Sequence, residues 1–479
     1  MIEILKNRKN LFLFFAITMT TAILAFSIVY VNVYLILIVV GAFAVFLVLR
    51  SNMFSFLVIF VVAFFGASLE DYGFLLPQIN WLNEFIFLLL FLKAITLKLW
   101  RREKICLKFK GVFFALILVG VISCLLNESS IMHALLFFRL LLRFYILFLA
   151  IINLDLDEKF MLAVNKVLIF LFIIQIPTAF IKLTIYGQGE SAIGTYDTHG
   201  GGVSAVLPLI AISFLIAFYF YYKPSLIYPI LSLGFIAFGL VGGKRALIIY
   251  TPVVVMFFII FMKEQFKKTV VYVAVAAVVI ILTGYLSIKF LPTLNPQRTI
   301  GGEVDLSYTR DFLYGYTMQR YEGRSAGRLS TTITVFQILE EEGWRGLLFG
   351  LGPGSYIKTR FESLKTTLRE TEALPIEYGV PGLSWLALQV GYTGSFIYLF
   401  LFFLILIQAA RYFRSENRPY WKSFGLGVVG FSFVMLIKSI SYWAVFIDDL
   451  LPLIYFMLAG FTIRLKMAKD AEKTQGNTE

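Results

Sequence analysis

Positively charged side chains interrupt the apolar runs of this sequence at two places. The run IMHALLFFRLLLRFYILFLAI carries Arg139 and Arg143, whose spacing places them on one face of a helix. The stretch VGGKRALIIY places Lys244 and Arg245 between two further apolar runs. A charge deep in a membrane helix costs about 2.5–3.5 kcal/mol on insertion scales, so an arginine there is expected to meet an anion or a polar cavity. Arginine also binds phosphate or carboxylate through two parallel hydrogen bonds, which favours a phosphate site.

A buried carboxylate is the alternative partner for the arginine pair. Only Glu84 and Asp448 occur at membrane depth, so pairing with an acid and binding of an anionic ligand both stay open. Four further cations lie nearer the ends of apolar runs, where long side chains can extend to water; they are Lys93, Lys98, Lys182 and Lys438.

A third cationic region is the segment 291–383, which holds eight arginines and two lysines against eleven acidic residues. Its stretch GRLSTTITVFQILEEE predicts an amphipathic helix that lies on the bundle, with an apolar face formed by Leu329, Ile333, Phe336 and Leu339. Arg328 stands at the start of that helix, where a cation opposes the helix dipole. Because a helix N-terminus also binds anions, Arg328 beside it indicates a phosphate site. Arg324 is a further candidate, and a salt-bridged surface is the alternative for each arginine of the segment.

Three side chains could act as a general base. The turn GTYDTHGGGVSAVLPL contains Asp197 and His199, and histidine is the commonest proton-transfer residue near neutral pH. An exposed loop histidine is the alternative. Glu377 lies in LPIEYGVPG, shortly before an apolar run. The glycines of GWRGLLFGLGPGSY predict turns, because the phosphate-loop pattern GxxxxGK[ST] does not occur there.

The composition places these residues in a membrane protein. The chain is 59% hydrophobic and 15% charged, whereas a soluble protein carries about 25% charged residues. The net charge of +13 is then explained by cations that hold loops on the cytoplasmic side, so no nucleic-acid partner is expected. Two cysteines and two histidines predict neither a disulfide framework nor a metal site.

The apolar runs predict an all-α polytopic membrane protein with about fourteen spans. They fall near 10–30, 33–49, 53–69, 82–99, 111–126, 130–153, 160–184, 201–222, 225–241, 246–262, 269–290, 384–410, 423–443 and 450–463. The predicted organisation is spans one to eleven in 1–290, an extracytoplasmic loop in 291–383, spans twelve to fourteen in 384–466 and a cytoplasmic tail in 467–479. Basic and acidic connections alternate along the chain, which predicts cytoplasmic termini and places the Lys244–Arg245 turn outside.

Four of these stretches together resemble the O-antigen ligase and polysaccharide polymerase superfamily. The likeness covers roughly 160–410. It is carried by GTYDTHGGGVSAVLPLIAISFLIAF, by GGKRALIIY, by GRLSTTITVFQIL with LLFGLGPGSY after it, and by LSWLALQVGYTGSFIYLFLFFLI. In the second stretch Arg245 matches the arginine of the family's serine-arginine-glycine-alanine turn. Ligases of the family carry a histidine that falls here near Val380-Pro381, where none occurs. Glu377 is the nearest ionisable residue, and this departure favours the polymerase branch.

The resemblance implies a glycosyltransferase of the GT-C class in the plasma membrane, with its active site facing outside. Its substrate would be an undecaprenyl-pyrophosphate-linked oligosaccharide, and a chain-length regulator and a flippase are compatible protein partners. No cofactor and no metal are implied, because cations can stabilise the departing pyrophosphate. The candidates for that role are Arg245, Arg328, Lys244, Arg139, Arg143 and Arg324. Asp197, His199 and Glu377 are the candidates for the base.

Two other functions stay open at this level. The protein could be a ligase that transfers the glycan to lipid A-core or to another acceptor. It could also be a flippase or transporter of a lipid-linked anionic substrate, although no internal repeat is visible. In the turn GGKR, adjacent side chains point apart, and we expect Arg245 to lean over the membrane surface and Lys244 to contribute less.

Overall fold

The computed structural model describes most of the chain after its first two predicted spans. The described residues are 45–74, 79–189, 191–196, 203–262, 278, 281–282, 284–318, 320–321, 324–325, 327–356, 380–440 and 450–476. The fold is all-α within these ranges, apart from a short antiparallel ladder formed by β1 (Arg320–Tyr321) and β2 (Arg324–Ser325).

Fifteen helices are described before and after this ladder. In chain order they are α1 (Asn52–Asp71), α2 (Ile79–Trp100), α3 (Lys110–Leu126), α4 (Ile131–Asn153), α5 (Glu158–Ile173), α6 (Gln175–Tyr186), α7 (Val203–Tyr221), α8 (Ile227–Val241), α9 (Leu247–Phe261), α10 (Leu306–Met318), α11 (Arg328–Glu341), α12 (Gly343–Phe349), α13 (Gly382–Ser415), α14 (Pro419–Ser439) and α15 (Leu450–Gly476). A 3₁₀ turn at Pro292–Leu294 precedes α10.

Seven helical segments in the described ranges are long and apolar enough to cross a membrane. They are α1, α4, the unit α5–α6, α7, α13, α14 and most of α15, and three shorter apolar helices, α3, α8 and α9, accompany them. These helices confirm the prediction of an all-α polytopic membrane protein. The number of fourteen spans stays a prediction, because the spans near 10–30, 33–49 and 269–290 lie wholly or largely outside the described residues.

The bundle is built around α14. This helix packs along α7 and α13, and α4 packs against α2 and α15. Gly427 of α14 lets α7 approach closely, since a Cβ at that position would overlap the ring of Phe214. Gly430 has the same relation to the ring of Phe258 on α9. Small residues at helix contacts are the usual means of close packing in a bilayer, where burial of apolar surface drives little association.

Charged side chains gather at one end of the bundle, here called the basic end. Arg418, which precedes α14, binds both Glu416 and Glu158, at the start of α5. Burial raises the pKa of Glu416, but hydrogen bonds and charge from Arg418 outweigh it and hold that pKa at about 2. Asp155 forms ion pairs with Arg101, which directly follows α2, and with Arg464 of α15. These contacts bring the ends of α2, α4, α5, α13 and α15 together.

The other end of the bundle, here called the loop end, carries the described parts of the segment between the 3₁₀ turn at Pro292–Leu294 and α13, here called the loop. Ser123, near the C-terminus of α3, donates a hydrogen bond to the carbonyl oxygen of Gln389 at 3.0 Å. The amide of Asn127 donates to the carbonyl oxygen of Gly350 at 3.2 Å. The loop is therefore attached directly to the helix ends of the bundle.

Cysteine labelling tests the assignment of sides. Ser307 in the loop and Ser415 at the basic end are both exposed, and each can carry a single cysteine in a background without Cys106 and Cys124. An impermeant thiol reagent should label Ser307→Cys in intact cells and Ser415→Cys only after lysis. The reverse pattern would invert the topology.

Candidate functional site

A buried lysine lies at the loop end of α14. Lys438 is fully buried and stands one residue before the helix ends at Ser439. Its ammonium nitrogen is 3.4 Å from the centroid of the Tyr250 ring, a cation–π contact with the first turn of α9. Arg328, at the start of α11, lies close enough for its charge to act on Lys438. A buried lysine and a half-buried arginine thus lie near each other at the loop end, an arrangement that favours the binding of an anion.

The turn between α8 and α9 adds a second buried lysine. Gly243 has φ of 70°, a left-handed conformation that glycine adopts without strain, and the Lys244 amide donates to the carbonyl of Gly239 at 2.9 Å. The side chain of Lys244 is buried, whereas Arg245 is half-buried and its guanidinium lies 5.0 Å from the centroid of the Phe312 ring. Lys244 is thus the more deeply buried of the two side chains, whereas the expectation that Arg245 leans over the membrane surface stays a prediction. The turn buries Lys244 and places Arg245 against α10.

Helix α11 forms where the sequence predicts it, but it buries a different face. Leu329, Ile333 and Phe336 are 46%, 38% and 43% exposed. The buried side chains of the helix are Ser330, Thr331, Thr334, Val335 and Leu339. The ring centroids of Phe336 and Tyr392 are 6.1 Å apart, and Tyr392 in turn contacts the exposed Phe396 of α13. The outward face of α11 is therefore continuous with an apolar surface of α13. The apolar side of α11 therefore turns outward, and its hydroxyl side turns inward against the protein.

The short segment 191–196 is fixed by two buried side chains. The side-chain oxygen of Gln175 accepts a hydrogen bond from the Thr195 amide at 2.7 Å. Lys182 donates to the carbonyl oxygen of Gly194 at 2.9 Å. Neither side chain was expected in this role. Lys182 is buried rather than extended to water, because it binds a carbonyl of the neighbouring loop.

The same region contacts the turn that carries Lys244. The amide of Gln188 donates to the carbonyl oxygen of Leu240 at 3.2 Å, and the backbone amide of Gly189 donates to Val241 at 3.3 Å. The connection between α6 and α7 is thus attached, through Gln188 and Gly189, to the end of α8 that directly precedes the GGKR turn.

The glycine-rich stretch after α12 inserts between α4 and a break in α13. Gly350, Gly352 and Gly354 all have positive φ. In α13 the helical conformation is interrupted at Val390 and Gly391, where φ of Gly391 is 67°. At the break, backbone carbonyl groups of α13 lack their partners within the helix. The backbone amide of Leu351 donates a hydrogen bond of 2.7 Å to one of them, the carbonyl oxygen of Leu388. The prediction of turn glycines is confirmed for Gly350, Gly352 and Gly354, which attach the loop to the bundle, whereas Gly343 and Gly346 belong to α12.

We expect Gly354→Ala to lower stability far more than Gly73→Ala. Both glycines have positive φ, but a Cβ at Gly354 would overlap His133, whereas a Cβ at Gly73 meets nothing within 4 Å. Strain and overlap together cost about 2–4 kcal/mol at Gly354, and strain alone about 1 kcal/mol at Gly73. The unfolding midpoint of each purified variant measures this. Equal midpoints would show that the stretch is not held against α4.

The arginine pair of α4 meets an acidic partner. Arg139 and Arg143 both contact Glu84 of α2, with hydrogen bonds of 3.0 Å from Arg139 Nη2 and 3.1 Å from Arg143 Nη1. This is the alternative that the sequence left open. The three side chains lie in a cleft between α2 and α4, whereas Lys438 lies against α9. Binding of pyrophosphate by the pair stays a prediction.

Several predicted residues cannot be placed. Asp197, His199 and Glu377 lie outside the described residues, as does Asp448. Arg324 is described only through its backbone in β2. Within the described ranges, no three His, Cys, Asp or Glu side chains come together as metal ligands.

Lys438 is the functional candidate that sequence reasoning missed. It was grouped with lysines that extend to water, yet its side chain is fully buried. The available signal was its neighbourhood, LIKSI, which offers no other charge and lies within an apolar run.

No family model and no curated protein matches this chain. Its function is therefore inferred from the site itself.

Proposed function

We propose that this protein is a membrane glycosyltransferase that polymerises lipid-linked oligosaccharide units at the loop end. The observation that carries the proposal is the set of basic side chains at the loop end: Lys244 and Lys438 are buried there, and Arg328 lies half-buried at the start of α11. Buried cations near the membrane surface suit a lipid pyrophosphate, whose tail stays in the bilayer while its charged group stands at that depth. We place the loop end outside the plasma membrane and both termini in the cytoplasm.

The reaction is a displacement at the anomeric carbon of the donor sugar. The bond from that carbon to the pyrophosphate oxygen breaks, and a bond to an acceptor hydroxyl oxygen forms. The hydroxyl proton passes to a base, for which Asp197, His199 and Glu377 are the candidates. Undecaprenyl pyrophosphate leaves with the electron pair of the broken bond.

The cations act on the charge that develops on the leaving group. Preorganised positive groups in a site without bulk water stabilise such charge strongly, because they need no reorganisation during the reaction. Lys438 and Lys244 supply fixed charges, and Arg328 supplies a planar fork for two phosphate oxygens. Arg245, on Phe312, stands at the rim and attracts the pyrophosphate from the membrane surface.

Arg328→Lys tests the part of the proposal that depends on geometry. The variant keeps the charge but loses the bidentate contact, which is worth about 1.5–3 kcal/mol. Polymer formation by the purified protein should therefore fall by about 10–100-fold. Arg345→Lys is the matched control, because Arg345 is an exposed residue of the same loop. Full activity of Arg328→Lys would show that Arg328 does not bind the pyrophosphate through two hydrogen bonds.

A transporter of a lipid-linked anion is the second candidate. Its favouring observation is the break in α13, because interrupted helices form the substrate sites of many transporters. In this protein, however, the carbonyls of Leu388 and Gln389 at the break bind Leu351 and Ser123 of the protein itself. The break thus anchors the loop, which favours the enzyme. A ligase would use the same cations and differ only in its acceptor.

A further inference from the structure

A cavity lies inside the bundle between α5, α7, α8, α14 and α15. Its volume is about 310 Å³, and its walls are almost wholly apolar, with Phe172, Phe214 and Phe235 among the lining residues. An apolar cavity of about 150 Å³ already stays dry and binds small apolar molecules. The described residues that line this cavity carry no charge. Its ligand is therefore expected to be uncharged and apolar over most of its length.

One buried amide interrupts these apolar walls. Asn165 of α5 lines the cavity and is 4% exposed. Within the described part of the chain, neither its amide nitrogen nor its amide oxygen has a partner at hydrogen-bond distance. The hydroxyl of Tyr420, which lines the same cavity, lies beside this amide. One phenol cannot satisfy both N–H donors and the carbonyl oxygen of an amide, and a buried polar group without partners is costly. The amide is thus placed to bind a polar group of a ligand.

The amide lies near the polar boundary of one leaflet. Glu158, at the start of α5, binds Arg418 at the basic end. Asn165 follows Glu158 by about two helical turns, a rise of about 10 Å. The lining of the cavity continues along α5 to Phe172 and Ile173, about two turns deeper. The polar group of a ligand would therefore stand toward the basic end, with a hydrocarbon chain extending into the membrane.

The cavity is open on the side of α5. Ile169 and Ile173 line it, yet they are 47% and 36% exposed. The unit α5–α6 is one of the segments long and apolar enough to cross a membrane, so its exposed apolar side chains face lipid. A hydrocarbon chain can enter the cavity from this side without passing through water.

We propose that this cavity binds a single-chain lipid alcohol, whose hydroxyl group lies against Asn165 and whose chain fills the apolar space. A hydroxyl both donates and accepts, so it can bind the carbonyl oxygen and an N–H of the amide together. An ester carbonyl only accepts and would leave the amide oxygen without a partner. A phosphate or carboxylate would need a cation, which the described lining does not supply. The site is separate from the cations around Lys438 and does not depend on the proposed enzymatic activity.

Competitive photocrosslinking of the purified full-length protein tests the proposal. The probe is 1-hexadecanol with a diazirine in its chain, and the competitors are 1-hexadecanol, farnesol and the methyl ether of each. At least one alcohol should displace the probe at about tenfold lower concentration than its ether, because the ether keeps the chain but cannot donate a hydrogen bond. The preferred alcohol identifies a straight or an isoprenoid chain. The probe should crosslink to α5, α7 and α8 at residues such as Phe172 and Phe235.

Asn165→Leu removes the amide while keeping a similar shape. This variant should be displaced equally by alcohol and ether, and its unfolding midpoint should not fall, because the change removes a buried polar group without partners. Asn83→Leu is the matched control, because Asn83 is a buried asparagine of α2 outside the cavity, and this variant should keep the tenfold preference.

Equal displacement by alcohol and ether in the unmodified protein would overturn the proposal. A preference that persists in Asn165→Leu would also overturn it, as would crosslinks confined to helices that do not line the cavity. If Asn165→Leu does not fold, the displacement and the crosslinked positions in the unmodified protein still decide the matter.

Discussion

Lys438→Met should abolish polymer formation while the protein stays folded. Methionine has a similar length, fills the same space and removes the charge. A preorganised group that stabilises developing charge is worth about 10²–10³ in rate, so we expect a loss of that size. The unfolding midpoint should not fall, because a buried ammonium is costly in an apolar interior even beside the ring of Tyr250. The measurement is glycan product per mole of purified protein, together with the unfolding midpoint.

The combination of the two readouts separates function from packing. A lysine that only supports the fold would give a variant with lower stability and normal specific activity. Lys93→Met serves as the control, since it removes another lysine of the bundle far from the proposed site and should leave activity unchanged. An active and stable Lys438→Met variant would remove Lys438 from the mechanism.

The second large effect concerns the turn between α8 and α9. Lys244→Ala should lower the rate by about 100-fold, because the buried side chain belongs to the group of cations and a charge-assisted contact is worth about 1.5–3 kcal/mol. Arg245→Ala should lower it by about tenfold or less, since this side chain is half-buried against Phe312. Both variants should be compared for product on gels at matched membrane levels.

The sequence alone predicts the opposite order, so this pair is a sensitive test of the structure. An inactive Arg245→Ala with an active Lys244→Ala would restore the sequence-based assignment. Two active variants would show that the pair only anchors the helix end, where a cation after α8 is favoured by the dipole of that helix.

The order of the elements could be predicted from the sequence more fully than the faces they bury. The start of α11 at Arg328 and the glycine turns after α12 follow from local patterns. The buried face of α11 does not, because the apolar spacing of Leu329, Ile333 and Phe336 defines a face without saying whether lipid or protein covers it. That choice depends on the surrounding bundle.

In the candidate site, too, the charged residues could be identified from the sequence, but their packing could not. Arg139 and Arg143 could be identified as charges isolated within an apolar run. Because few acids occur at membrane depth, Glu84 was already one of two possible acidic partners. The burial of Lys438 could not be derived, because it depends on tertiary packing, including the approach of α9 to one end of α14. The break at Gly391 is equally a tertiary effect: the G-x-x-G pattern is visible, but its conformation depends on the inserted loop.

The central claim is that the loop end catalyses glycosyl transfer, and a reaction in detergent tests it most directly. Purified protein is mixed with undecaprenyl-pyrophosphate-linked repeat units, and the products are separated by size. We predict a ladder of longer glycans and release of undecaprenyl pyrophosphate, both of which are lost in Lys438→Met. Unchanged repeat units in detergent, together with movement of the same lipid across reconstituted vesicles, would contradict the account and identify a transporter.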